Sequence, residues 1–315
     1  MRVELTIAAT VTHAVIEVTS RCNYHCSFCA GRHIHQGDMD LRMYSFVLSQ
    51  IPNLKHLYLS GEGEALLHPN FFEMASMARD RSVNLYHVTN GSLLSERICA
   101  KLIETGFREI NISTETVDPG SYSRIRGGDW AQVMKNTVCL VKTRGNRSLP
   151  IIRFNFNAFQ STLNQIPKII ELSKAIGIET PNIFSLQSKI DYAINYPPDI
   201  YVEILNPSQR TELVRAVRSA PAPALFWNTL YTDGSSAPCP FLRRFVWVSH
   251  NNTIAPCCYI KDLSGRWGDV TAEGGINAAL KSLELQNLES ELNRQRMPQE
   301  CIGCSVFEFH DGLED

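Results

Sequence analysis

What this chain lacks narrows its function before any motif is read. Over 315 residues it carries 30 Lys and Arg against 32 Asp and Glu, a formal net charge of −2, so no basic excess is available to hold a polyanion. Neither a Lys/Arg cluster nor a Gly-rich RNA motif nor an aromatic-basic stripe occurs, and nucleic acid is not an expected partner. No uncharged apolar run approaches the roughly 20 residues that a membrane span needs. The first ten residues are interrupted by Glu4 and have no continuous apolar h-region, so neither a membrane association nor a signal peptide is expected. Also missing is the dense cysteine pattern of a small secreted scaffold. The ten cysteines sit mostly in two groups towards the ends of a long chain, which points to ligation rather than disulfides.

One further absence is specific. Cys22-Asn-Tyr-His-Cys26-Ser-Phe-Cys29 supplies three thiols in a CxxxCxxC spacing, with no fourth nearby. Structural zinc sites usually join a CxxC to a second pair and close the tetrahedron. A cubane [4Fe–4S] cluster held by three thiolates keeps one iron open to a small chelating molecule.

These residues, with Phe28 before the last cysteine, resemble the signature of the radical S-adenosylmethionine (radical SAM) superfamily. The resemblance implies that Cys22, Cys26 and Cys29 hold the cluster, that S-adenosyl-L-methionine (AdoMet) completes the fourth iron, and that Phe28 packs beside its adenine. Reductive cleavage to a 5′-deoxyadenosyl radical then follows, chemistry that belongs to the cofactor and is steered by the protein. An oxygen-sensitive cluster fits a cytoplasmic location, and a reductant such as flavodoxin or ferredoxin is implied.

From residue 14 to about 190, short β-rich runs alternate with helical periodicity, the pattern of an α/β fold with a parallel sheet. Strands are predicted at 14–19, 54–59, 84–88, 108–114, 149–157 and 181–187, and helices at 40–51, 70–81, 93–106, 129–144, 162–176 and 207–219, with Asp40, Ser92 and Ser161 as caps. Six βα units match the partial (β/α)6 barrel usual for radical SAM proteins, and equally an open doubly wound sheet. In strand 149–157, Ile152, Phe154 and Phe156 alternate with Arg153, Asn155 and Asn157. Asn111, Ser113 and Glu115 repeat the alternation after 108, and Ser185 and Gln187 are expected to extend it. Burying so many polar groups in a filled core is costly, so they point to a cavity for a small polar substrate, with Arg153 as a candidate catalytic residue.

Active sites in such folds lie at the carboxyl ends of the strands. Leu59-Ser-Gly61-Glu-Gly63-Glu64-Ala resembles the family's Gly-Gly-Glu motif, which implies that Gly61 and Gly63 admit the methionyl group and Glu64 pairs with its ammonium. Ala65 replaces the usual proline, and Glu62 is the alternative carboxylate. Asn90, in Thr89-Asn90-Gly91, Ser113, and Arg126, in Tyr122-Ser-Arg-Ile125-Arg126, resemble further cofactor contacts. Arg126 is expected either to pair with the cofactor carboxylate or to form a surface salt bridge. Gly177-Ile178 stands where the family packs an apolar residue on adenine, and also reads as an ordinary helix end.

Pro221-Ala-Pro-Ala suits a boundary between a barrel, residues 1–220, and a second domain, residues 221–315. Cys239, Cys257, Cys258, Cys301 and Cys304 follow. Phe245–Ser249 and Thr253–Ala255 read as a hairpin around 250–252. This arrangement resembles the Twitch form of the SPASM domain, as in 2-deoxy-scyllo-inosamine dehydrogenases. The resemblance implies one auxiliary [4Fe–4S] cluster on Cys239, Cys257, Cys301 and Cys304, and it spans all but about the first dozen and last ten residues. Four thiolates would also suit zinc. Cys258 is left over, either packed structurally or poised to return a hydrogen atom. Cys99 and Cys139, inside predicted helices, read as small buried apolar residues. The leading expectation is a radical dehydrogenase acting on an alcohol carbon, with an epimerase using Cys258 or a maturase of a ribosomal peptide as the alternatives.

Overall fold

The computed structural model describes residues 7–29, 33–186, 195–218, 239–260, 265–302 and 304. It is an α/β fold with a mostly parallel sheet. The repeated units are β1 His13–Ile16 with α1 Leu41–Ser49, β2 His56–Leu59 with α2 Phe71–Asp80, and β3 Asn84–Thr89 with α3 Glu96–Thr105. β4 Glu109–Thr114 leads through α4 Pro119–Arg126 into α5 Trp130–Arg144. β5 Ile151–Ala158 precedes α6 Ile166–Ile176, and β6 Asn182–Ser185 precedes a helix at Pro207–Arg218.

The helix α4 is absent from the sequence expectation, because eight residues carry too little periodicity to register. Its ends are nonetheless well marked. Asp118 accepts the Ser121 N–H at 2.7 Å, Pro119 occupies the first turn, and Gly127 ends the helix. Of the three expected caps, Asp40 holds, accepting the Met43 N–H at 2.8 Å. The α3 cap is Ser95 rather than Ser92, and Ser161 lies in a 3-10 turn at Gln160–Gln165, so α6 starts later than its periodicity suggests.

Two compact units divide the chain. The first comprises Met1–Cys22, His35–Tyr86 and Leu225–Ile302. Here the strands run in the order β3-β2-β1-β7-β8, where β7 is Phe245–Val248 and β8 is Ile254–Ala255. β1 pairs in parallel with β2, from His13 on His56 to Ile16 on Leu59, and β7 pairs in parallel with the other edge of β1. β8 returns antiparallel as the expected hairpin. Helices α1 and α2 bury Tyr44, Val47, Leu48, Phe71, Met74 and Ala78. The anticipated boundary at 220/221 falls in residues 219–238, outside the described residues.

The second unit comprises Asn23–Ile34, His87–Ala224 and Gly303–Asp315. Its strand order is β6-β5-β4, followed by the end of β3. Ile110, Ile112, Ile152, Phe154 and Phe156 are all fully buried on one face, an apolar layer that specifies the register of β4 and β5.

Candidate active site

In the first unit, the residues following β1 and β2 form one tightly packed cluster. A Cβ on Gly61 would overlap the Glu17 side chain, and one on Gly63 would lie 2.6 Å from the Arg21 carbonyl oxygen and 2.7 Å from the Ser20 carbonyl carbon. Only glycine therefore lets the loop approach the backbone that leads into Cys22. The Glu64 N–H donates to the Arg21 carbonyl at 2.9 Å, and the Glu64 carboxylate, buried, accepts the Leu66 N–H at 3.3 Å. Arg21 is itself fixed by a two-donor pair with Asp38, at 2.9 and 2.7 Å. The predicted Gly61, Gly63 and Glu64 are thus gathered against the segment entering Cys22.

Two residues here escaped the sequence reading. Glu17, fully buried, accepts the Glu62 N–H at 2.6 Å through Oε2 and meets His250 Nδ1 at 2.8 Å through Oε1. His250 Nε2 lies 3.3 Å from Ser20 Oγ, which accepts the Gly37 N–H at 2.9 Å. A lone acid after the apolar run Ala14-Val15-Ile16 is a signal for Glu17. Nothing local marks His250, which sits in the turn of the β7–β8 hairpin.

In the second unit the cysteine loop is braced by the end of α4. The His25 N–H donates to Arg126 O at 3.3 Å, the Ser27 N–H to Ile125 O at 2.8 Å, and the Cys29 N–H closes back on Cys26 O at 3.2 Å. Phe28 packs edge-on against Phe159, with ring centroids 5.4 Å apart, in an apolar cluster with Ile125, Leu186 and Ile200. Asn90 Nδ2 donates to Asn23 Oδ1 at 2.9 Å, and Asn90 Oδ1 accepts the Ser92 N–H at 2.9 Å, tying the strand-ending turn to the loop.

Arg126 is not the surface salt bridge expected as one of its readings. It is buried, its Nε and Nη2 both donate to Glu115, the latter at 2.8 Å, and its Nη1 points to Cys26 Sγ at 3.8 Å. Burial opposes its charge, but the adjacent Glu115 carboxylate outweighs that and holds the guanidinium pKa well above its ordinary value. The Phe28 ring covers the same guanidinium at 5.9 Å.

The polar alternation is real on two strands and corrected on the third. Asn111 pairs in register with Arg153 and Ser113 with Asn155, sharing a face. On β6 this face carries Asn182 and the apolar Phe184, and Asn182 Nδ2 donates to Asn111 Oδ1 at 3.0 Å and Asn155 Oδ1 at 2.9 Å. Ser185 instead pairs with Ala158 on the opposite face, because the register to β5 sets its parity. Gln187 lies outside the described residues. Arg153 Nη1 donates to Thr180 O at 2.8 Å, while its buried Nε, 3.9 Å from Glu109 Oε1, has no hydrogen-bond partner among the described residues.

Of the second cysteine group, Cys239, Cys301 and Cys304 are buried, and Cys257 and Cys258 are half-buried just after β8. Cys301 ends a 3-10 turn, its N–H donating to Pro298 O at 2.9 Å. Among the described residues, no three His, Cys, Asp or Glu side chains are arranged to hold a single metal ion. Cluster ligands differ from such a set, since each thiolate binds its own iron and the sulfurs stand further apart. Cys99 is fully buried, and burial together with the neighbouring Cys139 pushes its thiol up to about 12, as suits an inert packed residue.

A profile described as the radical SAM superfamily matches residues 16–146, a span that includes the three-cysteine loop, Glu17, the Gly61–Glu64 loop, Asn90, Glu115 and Arg126. The match takes in less than half of the chain, and over those residues the chain is similar to that superfamily. Among curated relatives, a tungsten-containing aldehyde ferredoxin oxidoreductase cofactor-modifying protein of Pyrococcus furiosus is 27% identical over 180 residues, 54% of this chain and 50% of that protein. A probable GTP 3',8-cyclase of Methanococcus maripaludis is 28% identical over 171 residues, 51% of this chain and 55% of its own length. The matched region thus spans about half of these relatives. The AdoMet-dependent heme synthase of Methanosarcina barkeri is 24% identical over 272 residues, 79% of this chain and 77% of that protein. Among solved structures, anSMEcpe with bound AdoMet superposes with a TM-score of 0.70 at 16% identity, covering 95% of this chain and 84% of that one. Streptococcus suis SuiB bound to precursor peptide SuiA gives 0.61 at 15% identity, over 86% of this chain and 67% of that one. Both share the fold of this chain.

The family implies a [4Fe–4S] cluster and AdoMet, and the residues present fit them. The donor set is thiol-rich, and a cationic N–H faces the Cys26 sulfur. No helix of the described residues is long and apolar enough to cross a membrane.

Proposed function

We propose that this radical SAM enzyme dehydrogenates an alcohol carbon of a small hydroxylated or aminated substrate. The observation that carries the reading is the polar sheet face, where Arg153 offers a buried N–H without a hydrogen bond beside the Asn111–Asn182–Asn155 amide row. An oxygen-rich substrate would complete that donor, whereas an apolar one would leave it unsatisfied. Cys22, Cys26 and Cys29 would hold the first cluster and Cys239, Cys257, Cys301 and Cys304 an auxiliary one. When bound, these groups would supply one-electron chemistry, reducing the AdoMet sulfonium at the first and accepting the substrate's second electron at the other.

The chain's own residues do the positioning. Glu64 would face the methionyl ammonium, Ser113 and Asn90 would contact the cofactor, and Phe28 would pack beside its adenine. Arg153 and the amide row would orient the substrate so that one C–H faces the radical.

The test is to incubate the reduced, reconstituted protein with candidate aminocyclitols and sugars. Dehydrogenation requires 5′-deoxyadenosine and a product lighter by two hydrogens. If 5′-deoxyadenosine forms while the product keeps its oxidation state, dehydrogenation is wrong. Solvent deuterium at one carbon, lost in Cys258→Ala with AdoMet cleavage intact, would instead identify an epimerase with Cys258 as the hydrogen donor.

A further inference from the structure

We propose that Arg126 and Glu115 form a buried charge pair that sets the reduction potential of the cluster bound by Cys26. The inference rests on the reading that Cys22, Cys26 and Cys29 hold a [4Fe–4S] cluster. Its geometry lies wholly within the second unit. Arg126 Nη1 stands 3.8 Å from Cys26 Sγ, and the Arg126 carbonyl lies 3.9 Å from the same sulfur. The other two guanidinium nitrogens each donate to Glu115, so the cation lies towards the sulfur and the anion beyond it. Asn157 Nδ2, at 3.5 Å, adds a further contact to Glu115.

The arrangement differs from the exposed pairs elsewhere in this chain. The Arg126 and Glu115 side chains are 7% and 0% exposed, against 44% and 33% for Arg21 and Asp38. Water therefore screens the field of the buried pair weakly, and a nearby cluster would feel it at close to full strength. Hydrogen bonds to ligand sulfurs and local charge are among the principal determinants of cluster potential. An N–H directed at a thiolate favours the more negative, reduced state and raises the potential. Glu115 moderates that effect and makes the pair neutral overall. Arg126 thus exercises its role through Cys26, as a positioning residue rather than a catalytic one.

The two partners should act with opposite sign, which a purely structural ion pair would not do. The experiment is an EPR-monitored redox titration of the anaerobically reconstituted protein, following the signal that changes when AdoMet is added. Arg126→Met should lower the midpoint potential, since the donor is lost and Glu115 remains. Glu115→Gln should raise it. The double variant leaves no lone buried charge and should lie below wild type but above Arg126→Met, which keeps the test decisive if either single variant fails to fold. Midpoints equal to wild type in the double variant, or single variants shifting in the same direction, overturn the proposal. A wild-type protein that takes up no iron and sulfide would instead overturn the cluster reading itself.

Discussion

Gly63→Ala is the sharpest perturbation the site offers. The added methyl would stand 2.6 Å from the Arg21 carbonyl oxygen and 2.7 Å from the Ser20 carbonyl carbon. It would overlap the Thr19 carbonyl oxygen more closely still, and as ordinary contacts begin near 3.4 Å, loop or backbone must yield by about 1 Å in a close-packed interior. Neither side gives easily, because Arg21 is held by Asp38 and Ser20 by Gly37 and His250. Overpacking of this kind costs about 1–3 kcal/mol of stability. The larger consequence is displacement of the chain at Cys22. A misplacement of about 1 Å costs on the order of 100-fold in rate, equivalent to about 2.7 kcal/mol of barrier. Formation of 5′-deoxyadenosine under dithionite, followed chromatographically with iron content measured alongside, should fall roughly 10- to 100-fold. Gly120→Ala is the control, since its methyl meets only Asp118 Oδ2 at 3.4 Å, and its rate should match wild type. A Gly63→Ala protein with wild-type rate and AdoMet affinity would refute the close-approach reasoning.

Glu17→Ala removes two hydrogen bonds to a buried carboxylate, worth about 1.5–3 kcal/mol each, so a urea-unfolding loss of about 3–6 kcal/mol is expected and one below about 0.5 would sink the assignment. Asn90→Ala removes one of two bonds between the turn and Asn23, leaving Asn23 Nδ2 on Ser92 Oγ at 2.9 Å, and should slow cluster reconstitution, measured as iron bound per chain over time, while equal uptake would argue that the loop is set without it. His13, stacked on His56, has its pKa lowered from 6.5 to about 3, first by burial and then by the charges of His56, Arg244 and Lys55. The unfolded chain therefore binds the extra proton, and this contribution is whole above pH 6.5 and lost as the pH falls towards 3. Urea midpoints should drop on acidification, and His13→Phe should flatten that dependence; an unchanged slope would contradict it.

Much of this molecule could be read from the sequence, for identifiable reasons. The cysteine loop and the Gly61–Glu64 loop are contiguous, so their chemistry shows in a short window. The alternation along Ile151–Ala158 has the period of a strand and survives as two faces. Ser185 on β6 lies on the face opposite to the one its sequence suggests, because four residues carry too little pattern and the pairing of Asn155 with Asn182 decides the face. The Glu17–His250 contact joins residues 233 positions apart, and the pairing of β7 with β1 is equally remote. Arg126 and Glu115 are eleven residues apart, yet across a strand end and a helix that no periodicity announced.

The central claim is that Cys22, Cys26 and Cys29 hold a cluster that cleaves AdoMet. Its most direct test is to mix anaerobically reconstituted, dithionite-reduced protein with AdoMet and quantify 5′-deoxyadenosine and methionine. The account predicts both products in equal amounts from wild type and neither from the Cys22→Ala, Cys26→Ala or Cys29→Ala proteins. A fully iron-loaded wild type that leaves AdoMet intact, or a cysteine variant that still cleaves it, would contradict the account.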